Sequence, residues 1–231
     1  MGMLEDIVPR SRNAGTVGSG GLRIALMICI IVSSNGLSTS IGAGPQSALA
    51  ATLVTGDHKA WEEIITGYGR LHALPGWRER VTGQGEGITI REVVPPKSSR
   101  ALTTTSSGTA EIITVGQDAR YRTNVPGVSG RWVCLTAPGT DPSDPSNAGG
   151  VVKAARDADT TIAGTRVRTY TYAWTPPAQT KGRSETGMVT IYVGIQSGLP
   201  RRFVAAFPSG SQMIDYYDYG AKIAISLPPC R

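Results

Sequence analysis

Between Asp57 and Gly76 the apolar side chains Trp61, Ile64, Ile65, Tyr68 and Leu71 recur at steps of three and four. That spacing puts them on one face of an amphipathic helix. Thr55 or Asp57 can cap its start, and Pro75 with Gly76 stops it. Gly67 and Gly69 weaken it by about 1 kcal/mol each relative to alanine, so the helix needs a partner surface. After Gly76 the period becomes two. The segments WRERVTGQ (77–84), GITIREVV (87–94), SRALTTT (99–105) and AEIITVG (110–116) are rich in β-branched residues and separated by glycine, proline and serine turns. That is the rhythm of an antiparallel meander. GQDARYR (116–122) turns the chain and GVSGRWVCL (127–135) continues it.

Further along, 151–174 reads as two strands joined near Gly164, and 188–207 as a hairpin turning at Ser197 and Gly198. Met213–Ile214 and Lys222–Leu227 are expected to supply a last strand. The stretches 137–150 and 175–187 are rich in proline, glycine and small polar residues and read as long loops, although Asp141 to Ala158 allows a second short helix. The expected fold is α+β and mainly antiparallel. About nine to eleven strands either pack as a sandwich or form one strongly curved half-open β-barrel. A lone helix ahead of the strands favours the half-barrel, with the helix on its concave side.

Residues 22–34, LRIALMICIIVSS, hold an apolar core from Ile24 to Val32 behind Arg10, Arg12 and Arg23. It falls short of the roughly 20 residues that a membrane span requires. With the small-residue run SALAAT (47–52) it has the pattern of a secretory signal cleaved after Ala50. Residues 1–50 are then a signal peptide and 51–231 a single domain. The exported part carries 20 of the 23 basic and 15 of the 17 acidic residues, a net charge of +5. These charges are scattered along strands without a dense basic run, which argues against nucleic acid and for solubility or a transient contact with an anionic lipid surface.

Export leaves two cysteines, Cys134 and Cys230, in a compartment that permits disulfides. If bonded, they close a loop of about 97 residues, for which chain entropy suggests at most about 4 to 5 kcal/mol. The alternative is a pair of free thiols.

Catalytic constellations are weak. His58 and His72 are the only histidines and lie at opposite ends of the helix pattern, too far apart to share a metal ion. GVSGR (127–131) is not a nucleophile elbow, and GQGEGI (83–88) has neither the spacing nor the following helix of a dinucleotide loop. Asp215 and Asp218 lie three apart in a turn-like stretch. No enzyme activity, metal or cofactor is expected. Tyrosine outnumbers phenylalanine eight to two, and Tyr170, Tyr172 and Trp174 share one face of a strand. They read as a cross-strand aromatic ladder or as an amphipathic rim for a headgroup.

Taken in order, AWEEIITGYGRL, IITVGQDARYR, GRWVCL, IAGTRVRTYTY, VTIYVGIQSGLPRRF and IDYYDYGAKIAISLP resemble bacterial periplasmic proteins of the LolA-like superfamily, which includes lipoprotein carriers and lipid-binding lipoproteins. The resemblance spans nearly the whole exported part. It implies a half-open barrel lidded by helices, with a hydrophobic cavity for acyl chains. No carrier-specific cavity residue can be matched, so the cargo is open. The expected function is a periplasmic carrier or sensor that holds a lipid or acylated protein without covalent chemistry. The alternative is an envelope interaction module whose hollow is filled by its own side chains and whose loops meet another envelope protein. The candidate apolar cavity comprises Trp61, Ile64, Ile65 and Tyr68 of the helix and Val189, Ile191, Val193 and Ile195, which strand alternation assigns to one face.

Overall fold

The computed structural model describes residues 53–83, 87–127, 130–136, 151–175, 186–208 and 210–230. The expected signal peptide and most of the two expected loops, 137–150 and 176–185, lie outside the described residues. The chain opens with β1 (Leu53–Gly56) and α1 (His58–His72). A meander follows through β2 (Trp77–Gly83), β3 (Gly87–Val94), β4 (Ser98–Thr105), β5 (Gly108–Val115), β6 (Asp118–Asn124) and β7 (Val133–Thr136). The second half comprises β8 (Val151–Arg156), β9 (Thr160–Ile162), β10 (Thr165–Thr175), β11 (Gly187–Gly194), β12 (Pro200–Phe207) and β13 (Gly210–Tyr217).

All 13 strands belong to one sheet in the order β1-β8-β10-β11-β12-β13-β2-β3-β4-β5-β6-β7, with β9 hairpinned onto β10. Every pairing is antiparallel except β1 with β8. The path begins at β1 and ends at β7, so the curved sheet does not close: it is the half-barrel expected from the sequence. The strand count exceeds nine to eleven because β1, β7 and β9 have only four, four and three residues, too few to show a period.

Three further expectations are corrected. The helix does not precede every strand, since β1 comes first. Residues 151–156 are strand β8, so no helix occupies that part of 141–158. The stretch 222–227 is no strand: 221–230 runs extended without joining the ladder, and the last strand is 210–217.

Short-range chemistry sets the helix. The Asp57 side chain accepts from the Ala60 amide at 3.0 Å, capping the N-terminus. The Asp57 amide donates to the Ala154 carbonyl at 2.9 Å and ties the cap to β8. Gly56 makes this approach possible. Its φ is +82°, and a Cβ there would lie 2.4 Å from the Ala154 carbonyl oxygen. From this anchor α1 packs on β1, β8, β11 and β12, one half of the sheet. Ala60, Ile64, Tyr68 and Leu71 are buried in a core with Trp77, Val81, Tyr170, Tyr172, Val189, Ile191, Val193, Phe203, Ile214 and Tyr216. Among the described residues no helix is long and apolar enough to cross a membrane.

Candidate functional site

Strand alternation and the pairing register identify the face under the helix. Tyr170 lies opposite Ile191, Ile191 opposite Phe203, Phe203 opposite Ile214 and Ile214 opposite Val81. These side chains share the concave face. The helix residues Ile64 and Tyr68 meet Val189, Ile191 and Val193 there, and Ile64 and Ile191 have no exposed surface at all. Trp61 packs on this core edge-on to Tyr172, with ring centres 5.4 Å apart. Ile65 is half-buried, and Ile195 is half-buried in the turn beyond β11. The seam between α1 and β11 is therefore filled by side chains.

The aromatic run divides along its length. Tyr170 and Tyr172 are buried, and Trp174 meets Phe207 edge-on at 6.1 Å, which is the geometry of a packing ladder. Tyr170 also has a polar partner, its hydroxyl donating to Glu63 of α1, while Arg168 lies 3.6 Å from the same carboxylate. Burial, then the Glu63 bond and charge, push the Tyr170 phenol up to about 12, with Arg168 opposing. A raised phenol favours the neutral folded state, so its contribution is complete below the ordinary value of 10.0 and is lost as pH rises from there through about 12. Glu63→Gln should narrow that alkaline window, and phenolate absorbance during a pH titration should show Tyr170 ionising earlier than in the wild type.

Next to the apolar core lies a buried polar cluster. The Tyr68 and Tyr216 hydroxyls are 3.0 Å apart. Trp77 Nε1 donates to Glu79 Oε1 at 2.7 Å, and Arg91 Nε donates to Glu79 Oε2 at 2.6 Å. His72, at the end of α1, stacks on Trp77 with ring centres 5.6 Å apart. Burial, the neighbouring Tyr216 and the charge of Glu79 hold the Tyr68 phenol well above its ordinary value.

Beyond Arg91 the concave face changes character. The register puts Thr89, Ala101, Thr103, Ala110, Ile112, Ala119 and Tyr121 on it, across β3 to β6. Most are small, and α1 packs on the other half of the sheet. Thr89 and Thr103 satisfy each other through a 2.7 Å hydroxyl pair. One half of the half-barrel is thus filled by the helix, and the other is lined by short side chains.

The convex face carries separate chemistry. Glu111 is buried there between Arg100, at 2.6 Å, and Arg122, also at 2.6 Å, and Arg122 lies 4.5 Å over the Trp132 ring. These groups border a polar cavity of about 280 Å³ lined by Leu102, Thr109, Glu111, Arg122, Asn124 and Gly130. It is not the apolar hollow expected under the helix. Cys134 and Cys230 are bonded, with Cα atoms 5.8 Å apart. Among the described residues no three His, Cys, Asp or Glu side chains cluster as metal ligands.

The fold has solved counterparts. The lipoprotein LppX from Mycobacterium tuberculosis superposes with a TM-score of 0.57 at 13% identity, covering 74% of this chain and 100% of that one. LprF from Mycobacterium bovis gives 0.53 at 14% identity, covering 75% of this chain and 99% of that one. No protein-family model matches the sequence, and no curated protein matches it. At these identities the likeness is one of architecture. The chain has the half-open barrel fold of LppX and LprF, shared over about three quarters of its length.

Proposed function

We propose that the protein is a carrier or sensor of the bacterial envelope that holds an acyl chain, from a lipid or an acylated protein, on the concave side of the half-barrel without covalent chemistry. One observation supports the reading: α1 packs on β1, β8, β11 and β12, while the register sets mostly short side chains, from Thr89 to Tyr121, on the same face of β3 to β6, where the proposal puts an acyl trough. A trough lined by alanine, threonine and isoleucine suits a chain of methylenes, each contributing about 0.8 kcal/mol on leaving water. Of the eight residues singled out from sequence, Ile64, Tyr68, Val189, Ile191 and Val193 are buried in the core under α1 and not along the trough. The architecture shared with the lipoprotein LppX supports the same reading, as do the signal-like segment and the disulfide for a periplasmic location. Contact with the membrane would be transient.

A second reading has its own support. The closed seam around Ile64 and Ile191 fits an interaction module whose hollow is filled by its own side chains. The two diverge at Ala101, which lies on the trough between Arg91 and Ile112. Ala101→Trp should fill the trough, leave the circular dichroism spectrum unchanged and weaken binding of a fluorescent fatty acid at least tenfold. Saturable binding that survives Ala101→Trp would place the chain elsewhere. A folded wild type that binds no acyl probe of any length would leave the interaction module.

A further inference from the structure

Residues 221–230 form a strap. They are extended, they stay outside the strand ladder, and their exposure alternates, with Ala221, Ile223, Ile225 and Leu227 half-buried and Lys222, Ala224 and Ser226 exposed. At one end the Gly220 amide donates to the Gly76 carbonyl at 2.9 Å. A Cβ on Gly76 would lie 2.8 Å from the Ala221 carbonyl oxygen and 3.4 Å from Ile223 Cδ1, so the strap passes directly over that glycine. At the other end Arg120 Nε donates to the Pro228 carbonyl at 3.3 Å, and Cys230 is bonded to Cys134 of β7.

Arg120 and Cys134 face each other across β6 and β7 on the convex side, and Ile113 lies opposite Arg120 on β5. The strap therefore runs from the start of β2 to β7 across the face that the helix does not touch. Ten extended residues reach about 30 Å, and five strand spacings take about 24 Å, so the length matches a crossing. Ile113 is buried although it points to the convex side, in keeping with cover from the strap beside it.

Both cysteines of this fastening are exposed, and so is every residue of β7, an edge strand of the sheet. Thiol–disulfide exchange requires access of a thiolate to sulfur, which most structural disulfides deny by burial. We propose that Cys134–Cys230 is an exchange site for a protein dithiol of the envelope, and that its reduction unlatches the strap and uncovers the convex face around Ile113. A partner thiolate attacks Cys230 Sγ, forming a mixed disulfide and releasing the Cys134 thiolate. The partner's second thiolate then attacks its own sulfur in the mixed disulfide and releases Cys230. The two electrons come from the partner dithiol, which ends as a disulfide, and two protons complete the thiols on Cys134 and Cys230.

The purified folded protein, incubated under native conditions with a thioredoxin-type dithiol protein, should give two alkylatable thiols by mass. After alkylation and removal of reductant, trypsin should cut after the exposed Lys222 at least tenfold faster than in the oxidised protein, while Arg78 and Arg202 in the sheet stay protected. The double variant C134S/C230S should match the reduced protein without any reductant. The proposal is overturned if the disulfide yields only in denaturant, or if Lys222 stays protected once both thiols are free. Cleavage at Arg78 and Arg202 rising in step with Lys222 also overturns it, because that is global unfolding and not release of a strap.

Discussion

Ile191→Glu leaves no folded protein at neutral pH. Ile191 has no exposed surface and sits in a core with Tyr170 and Phe203, its register partners on either side. An ionised carboxylate there has no partner, and its desolvation costs several kcal/mol even after the group takes up a proton. The lost aliphatic packing adds about 1 to 3 kcal/mol. Together these approach the whole stability of an ordinary domain, about 5 to 15 kcal/mol. The introduced group's pKa is raised in the folded state, so any residual structure should appear only as pH falls. Ile191→Val removes one methylene and should cost about 0.5 to 1.5 kcal/mol. Circular dichroism and urea titration of both variants test the pair. A folded glutamate variant at neutral pH would mean that water reaches the α1–β11 seam.

The second large effect is expected at Glu79. This carboxylate is 1% exposed and accepts from Trp77 Nε1 and Arg91 Nε together. Glu79→Ala strands both donors and leaves the largely buried Arg91 guanidinium without its nearest anion, a loss of about 3 to 5 kcal/mol. Glu79→Gln retains one acceptor oxygen and should cost less, about 1 to 3 kcal/mol. Exposed pairs on the convex side such as Arg78–Asp218 should move stability far less, because solvent screens them. Urea midpoints for Glu79→Ala, Glu79→Gln and Asp218→Ala give the ranking, and equal losses at Glu79 and Asp218 would contradict the buried-cluster account.

Much of this organisation was legible before any coordinates. The three-and-four spacing marked α1 and its buried stripe, because a helix that packs on a sheet must repeat its apolar face every turn. The period-two runs marked the meander and aligned Val189, Ile191 and Val193, because one face of the sheet is buried. Cysteine arithmetic led to Cys134 and Cys230. What stayed hidden was decided by contacts distant in sequence. Four-residue β1 is a strand only because β8 lies beside it. The stretch 222–227 alternates like a strand, yet it crosses the sheet at its convex side and pairs with nothing, and alternation alone cannot tell a ladder from a strap.

Glu79 and Glu111 do not figure among the residues singled out by pattern, although each falls in the apolar phase of its strand, Glu79 on the concave face and Glu111 on the convex one. In WRERV the acid falls between Trp77 and Val81, which both face the core. An acid in the apolar phase is the signal that was present. The packed seam was illegible for another reason: pattern assigns side chains to a face, but whether two faces meet depends on the curvature of the sheet.

Native mass spectrometry of the protein purified from the envelope of an exporting bacterium tests the central claim most directly. The account predicts one population heavier than the polypeptide by the mass of a single lipid or acyl chain, and a bare population that appears when Ala101→Trp fills the trough. Bare polypeptide alone, from a protein that is folded and disulfide-bonded and binds no acyl probe added afterwards, would contradict it.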